Sequence, residues 1–186
     1  NFEVRVVGRD IRSYKKLIPP LAAYPAAFII TADDDLYYGR SWLSELVRSY
    51  SPSRKEIVCH RAHRIVLDDD ARILPYDQWE GEIIDPTPGK LVFPTTGGGV
   101  LIPPGALGSE TQDEQVFMAL CPTADDVWFY FMVRKAGYVC RKIGPPFSCR
   151  TWDGSQEQAL YLENAHQRKN DVAIANLMGR FGDPAA

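Results

Sequence analysis

The feature that most restricts the fold of this chain is a continuous apolar run, Ala27-Phe28-Ile29-Ile30-Thr31, that ends at Asp33-Asp34-Asp35. An unbroken run of this kind is what a strand covered on both faces requires, as in a parallel sheet flanked by helices. Three adjacent carboxylates at the edge of a low-dielectric core repel one another, and a cation relieves that cost. In open α/β sheets, ligands bind beyond the carboxyl ends of strands, which is where this triplet falls. The alternative is a solvated turn. A second triplet, Asp68-Asp69-Asp70, follows no such strand and leads into Ala71-Arg72, so it reads as a turn.

Around this run the elements alternate. Phe2 to Val7 reads as a strand, and Tyr14 to Tyr24 as a short helix kinked or ended by Pro19-Pro20. A helix from about Ser41 to Tyr50 sets Trp42, Leu43, Leu46, Val47 and Tyr50 on one face. Glu56 to Cys59 and Arg64 to Leu67 read as strands, residues 74–90 as an irregular excursion, and Leu91 to Phe93 and Val100 to Ile102 as short strands around a glycine loop. Asp125 to Lys135 is helical with Gly137 as its stop, Tyr138 to Ile143 is a strand, and two helices fill 155–181, the first capped by Ser155 with Gln158. The order implies βαβ units. The expected fold is a single α/β domain over 1–186, a three-layer sandwich with a mostly parallel central sheet.

Composition narrows the functional classes. With 186 residues, 21 Lys+Arg and 24 Asp+Glu, the net charge is −3, which argues against the broad basic face of a nucleic-acid binder. The longest apolar stretch, Leu17 to Ile30, is interrupted by Pro19, Pro20 and Pro25 and is too short to span a bilayer. The opening NFEVRVVGRD is charged where a secretion leader has its apolar centre. Cys59, Cys121, Cys140 and Cys149 stand singly, with no CxxC pair, and read as free thiols. A cytoplasmic protein is expected, and peripheral association with a membrane is compatible with the sequence.

The chemistry-bearing residues are acidic. Asp33 and Asp35 alternate and so face one side of an extended segment, an arrangement suited to a hard cation with oxygen ligands, Mg²⁺ or Mn²⁺. Asp125-Asp126 opens an almost wholly apolar helix; macrodipole capping is one account and acid–base chemistry the other. Gly97-Gly98-Gly99 permits close backbone approach, but no GK[ST] follows, so it is not a P-loop. Trp79 lies in the polar excursion, where a large aromatic is harder to bury, and Trp128 lies on the apolar helix, where it reads as core. His60 and His63 read as structural.

The segment Ile29-Ile30-Thr31-Ala32-Asp33-Asp34-Asp35-Leu36-Tyr37-Tyr38, with Trp42-Leu43 after it, resembles the DxD region of GT-A-type glycosyltransferases, more narrowly the bacterial family-2-like enzymes of surface-polysaccharide synthesis. Tyr14-Lys15-Lys16-Leu17-Ile18-Pro19, Thr96-Gly97-Gly98-Gly99-Val100-Leu101-Ile102-Pro103-Pro104 and Ala124-Asp125-Asp126-Val127-Trp128-Phe129 fit the same pattern in order. The likeness begins at what corresponds to the second or third strand of such folds, so it implies a GT-A-like domain truncated at its N-terminus. It further implies that Asp33, with Asp34 assisting, contacts the nucleotide, and that Asp35 with Asp33 holds Mn²⁺ or Mg²⁺ against the diphosphate. Lys15, Lys16, Gly98 and Gly99 would then lie by the donor, Asp126 or else Asp125 would be the general base, Trp79 and Trp128 would meet the acceptor, and His166 would be a further metal ligand. The implied activity is transfer of a sugar from a nucleotide-sugar donor to a hydroxyl of a glycan or glycolipid acceptor, with inversion. Two other readings stay open: a metal-dependent phosphohydrolase using Asp33, Asp35 and Asp125, and a non-catalytic module binding glycan or divalent ions.

Overall fold

The structure, a computed structural model, describes residues 3–153 and 168–186. Within them the chain is mixed α/β, with strands β1 (Ile29–Ile30), β2 (Glu56–Cys59), β3 (Ala62–Arg64), β4 (Val92–Pro94), β5 (Val100–Ile102) and β6 (Val139–Lys142). The helices are α1 (Ile18–Ala23), α2 (Trp42–Ser49), α3 (Glu114–Leu120), α4 (Asp125–Lys135) and α5 (Lys169–Phe181). Four strands form one sheet in the order β1-β5-β2-β6, and β3 pairs with β4 in a separate ribbon.

The sheet is mixed rather than mostly parallel. β5 lies between β1 and β2 and runs antiparallel to both, with Ile30 opposite Leu101 and Val58 opposite Leu101, while β2 and β6 run parallel. The apolar run expected to be covered on both faces is the edge strand of this sheet, with Ile29 in one apolar cluster and Ile30 packed against the other. Ile29 is buried, but Phe28 is exposed and its ring meets that of Tyr50.

The sheet's side chains alternate between two apolar clusters, as the period of two along a strand demands. Ile57, Cys59, Val100, Ile102 and Cys140 join the larger one, with Trp128, Phe129, Phe131 and Met132 of α4. Val58, Leu101 and Ile143 join Leu46 of α2 in the smaller one, with Ile30, Trp42 and Tyr50 packed against it. α4 is almost wholly buried, and its polar ends suit the helix dipole: Asp125 and Asp126 open it, Arg134 and Lys135 close it. Gly137, at φ +78°, supplies the left-handed residue that ends it.

Three local expectations are corrected. Residues 3–7 form no strand, and Val4 and Val6 are exposed, because no neighbouring strand covers them. Pro19 and Pro20 occupy the first turn of α1, where a missing N–H costs nothing, so they begin a helix instead of breaking one. Helix α3 had no sequence-based counterpart; Asp113 caps it by accepting the N–H of Val116 at 3.1 Å. Asp68 makes its triplet a turn by accepting the N–H groups of Asp70 and Arg72. The helix expected from Ser155 lies outside the described residues. Cys59, Cys121 and Cys140 are buried free thiols, and Cys149 is exposed. Among the described residues, no helix is long and apolar enough to cross a membrane.

Candidate functional site

Thr31, the last residue of the apolar run, sets the site's geometry. Its hydroxyl donates to Thr96 O at 2.9 Å and accepts from Val100 N–H at 3.1 Å, tying the end of β1 to both sides of the glycine loop. The acidic triplet is thereby laid against that loop. Tyr38 extends the tie, accepting the N–H of Asp33 and donating to Gly97 O, both at 2.7 Å. The chain returns after β6 to brace the triplet from the other side. Asp35 O accepts from Trp152 N–H at 3.1 Å, and Tyr37 N–H donates to Arg150 O at 2.8 Å.

The glycine triplet is crowded by the protein itself. A Cβ at Gly97 would lie 2.5 Å from Asp33 Oδ2, one at Gly98 would strike Arg61 Cβ, and one at Gly99 would strike the Trp42 indole. Gly97 and Gly98 border the cleft. Gly99, assigned to the donor from sequence, is backed by Trp42 and is not among the cleft-lining residues.

A cleft of about 1160 Å³ takes in Lys15, Lys16, Asp33, Asp34, Asp35, Gly98, Asp125 and Asp126, residues drawn from four separate sequence segments. Lys16 links the two acidic groups. Its Nζ lies 2.7 Å from Asp33 Oδ1 and 3.5 Å from Asp125 Oδ2, and donates to Thr96 Oγ1 at 3.1 Å. Burial opposes its charge, yet Asp125, Asp126 and Asp33 together hold its pKa above the ordinary lysine value. Lys15 points instead to Asp10.

The structure separates the roles of the second acidic pair. Asp125 is buried and accepts from Ser13 Oγ at 2.7 Å, so it is engaged within the protein. Asp126 accepts both the N–H and the hydroxyl of Thr96 on one oxygen, Oδ1. Burial and the neighbouring Asp125 raise its pKa to about 6, against the opposing pull of Lys16 and Thr96. A carboxylate tuned toward neutrality and fixed at the wall of a cleft is suited to accept a proton.

Both tryptophans assigned to the acceptor are core residues. Trp128 is fully buried and donates to Thr111 O at 3.0 Å. Trp79 is buried in spite of its polar sequence surroundings. Its ring packs on Tyr76 and Phe93, and its indole N–H donates to Leu74 O at 2.8 Å. His166 lies outside the described residues. The cleft is also lined by Arg61, His63, Tyr76 and Glu82, which the sequence reading did not assign to a ligand. Arg61 is held by Glu82 and by Thr95 Oγ1. His63 Nδ1 accepts the N–H of Glu82 at 3.0 Å, and burial, assisted by Arg61, lowers its pKa to about 4, so the ring is neutral. The polar string His60-Arg61-Ala62-His63 was the available signal, since it places Arg61 just before β3 and His63 within it.

Among the described residues, no three His, Cys, Asp or Glu side chains form a closed metal site. Asp33 and Asp35 both line the cleft, with Asp34-Asp35 forming a turn rather than the extended segment expected. Mg²⁺ and ions like it commonly take one or two carboxylates and complete their shell with water and phosphate oxygens, so this donor set fits an ion shared with a diphosphate. Comparison with protein-family models, with curated proteins and with solved structures returns no match to this chain.

Proposed function

We propose that this chain is a metal-dependent glycosyltransferase domain that moves a sugar from a nucleotide-sugar donor to a hydroxyl of a glycan or glycolipid acceptor. The observation that carries the reading is that Asp33–Asp35 and Asp125–Asp126 line one cleft and are joined through Lys16. The reading takes the two apolar clusters, with α2 on one and α4 on the other, as the layers of a GT-A-like sandwich, and places the enzyme in the cytoplasm.

In this reading Asp33, with Asp34 beside it, meets the nucleotide, and Asp35 with Asp33 holds Mn²⁺ or Mg²⁺. The ion supplies Lewis-acid stabilisation of the departing nucleoside diphosphate. Asp126 removes the proton from the acceptor hydroxyl as that oxygen bonds to the anomeric carbon and the bond from that carbon to the diphosphate oxygen breaks. One base and a single displacement invert the configuration. Thr96 fixes the Asp126 carboxylate, and Asp125 anchors Lys16 and Ser13. The acceptor enters over Arg61, His63 and Tyr76 in place of the two buried tryptophans.

The test is a thermal-shift series with Mn²⁺, UDP and GDP, singly and combined, on the wild type and Asp35→Ala. The reading expects stabilisation by Mn²⁺ with one nucleoside diphosphate, lost in Asp35→Ala with the basal transition nearly unchanged. Stabilisation by metal with no nucleotide response would favour the phosphohydrolase or the binding module. An unchanged shift in Asp35→Ala counts against its place at the ion.

A further inference from the structure

Lys16 is the cation at the centre of the cleft. Its side chain is only 16% exposed, and it makes three contacts there: Asp33 at 2.7 Å, Thr96 at 3.1 Å and Asp125 at 3.5 Å. Three other cations border the cleft: Lys15 is paired with Asp10 and Arg61 with Glu82, and Arg12 lies beside Ser13, but Lys16 is the one that bridges the two acidic groups. A divalent ion that approaches Asp33 by itself therefore meets an ammonium on the same carboxylate, and like charges at a few ångströms repel strongly in a partly buried site. A nucleoside diphosphate changes the balance, because its several charged phosphate oxygens offer the ammonium charge-assisted hydrogen bonds in place of the one to Asp33.

We propose that Lys16 is a resident counter-ion that passes from Asp33 to the donor's diphosphate, so that metal and nucleoside diphosphate bind as a unit and metal alone is held off. The proposal rests on the sugar-transfer reading and adds to it an order of binding and a residue that enforces it. Thr96 is the pivot: it touches both Lys16 and Asp126, so the hand-over also reaches the carboxylate that takes the acceptor proton.

The experiment is a titration with Mn²⁺, followed by the electron paramagnetic resonance of the free ion, on the wild type, Lys16→Met, Lys16→Gln and Lys16→Arg. With no nucleotide present, Lys16→Met and Lys16→Gln should bind Mn²⁺ roughly tenfold or more tightly than the wild type, since the repelling charge is gone. Lys16→Arg keeps the charge and should keep the weak wild-type affinity. Saturating UDP or GDP should tighten Mn²⁺ binding more in the wild type than in Lys16→Met, where only the coordination shared with the diphosphate couples the two. Equal or weaker binding of Mn²⁺ alone by the two neutral variants, or tightening in Lys16→Arg, overturns the proposal; Lys16→Arg decides if the neutral variants do not fold. A wild type whose Mn²⁺ affinity responds to neither nucleotide overturns the sugar-transfer reading instead, whatever Mn²⁺ alone does in the variants.

Discussion

Thr96 spends both of its donors on one oxygen of Asp126: the N–H lies 2.8 Å and the hydroxyl 2.6 Å from Oδ1. Hydrogen bonds to a carboxylate favour its charged form, so Thr96 restrains a pKa that burial and Asp125 push upward. Thr96→Val keeps the shape and the N–H but removes the hydroxyl. The pKa of Asp126 should rise further, by about one unit, the scale of a lost charge-assisted bond. In a pH profile of kcat/KM for sugar transfer, the acidic limb should move to higher pH. A limb that stays put would show that Asp126 is not the group titrating there.

The same elevated pKa makes a prediction about stability. Asp126 titrates near 6 in the folded chain against an ordinary value of 3.8. Between those values the folded state binds more protons than the unfolded state, so stability falls as pH rises through that window. Asp126→Asn removes this loss. The variant should gain about 1–3 kcal/mol over the wild type at pH 7, and the gain should vanish toward pH 4. Urea unfolding at a series of pH values measures it, and parallel curves for the two proteins would contradict it.

The parts of the site that could be read from sequence are those fixed by local chemistry. An apolar run ending in acid, a glycine triplet and an acidic helix start each keep their character wherever the sheet places them, and the fold gathers them with Lys16 into one cleft. What could not be read depends on pairing between distant segments. Strand direction in the sheet is decided by β5 inserting between β1 and β2, a contact that no periodicity encodes. Trp79 looked exposed because its neighbours in sequence are polar, but its neighbours in space are Tyr76 and Phe93. The glycines looked like a ligand cradle, yet two of them are explained by Asp33 and Trp42, side chains more than fifty residues upstream.

Two adjacent glycines should respond differently to the same change. Gly97→Ala presses a methyl onto Asp33 Oδ2, the end of a side chain, so the fold can yield by moving that carboxylate. Stability should fall by less than about 1 kcal/mol, while the joint Mn²⁺ and nucleotide response weakens because the Asp33 carboxylate is moved from the place where it would meet the ion and the nucleotide. Gly99→Ala presses against the rigid Trp42 indole at a φ of +104° and has no such escape. It should cost about 2–4 kcal/mol, combining overpacking with backbone strain. Chemical denaturation gives both stabilities. Equal costs at the two positions would show that the loop is not held between these two side chains.

Tyr76 is the residue we expect to replace the buried tryptophans in acceptor binding. It borders the cleft, its ring is supported by Trp79 and Phe93, and the Asp126 carboxylate, after burial itself, helps hold its phenol protonated. Tyr76→Phe removes the hydroxyl and keeps the packing. The acceptor KM should rise about 3–10-fold, the value of one neutral hydrogen bond, with kcat and the melting temperature little changed. Trp79→Ala should act through the fold instead, lowering stability by about 3–5 kcal/mol as a cavity opens beneath Tyr76. A KM unaffected by Tyr76→Phe would take the Tyr76 hydroxyl out of acceptor binding.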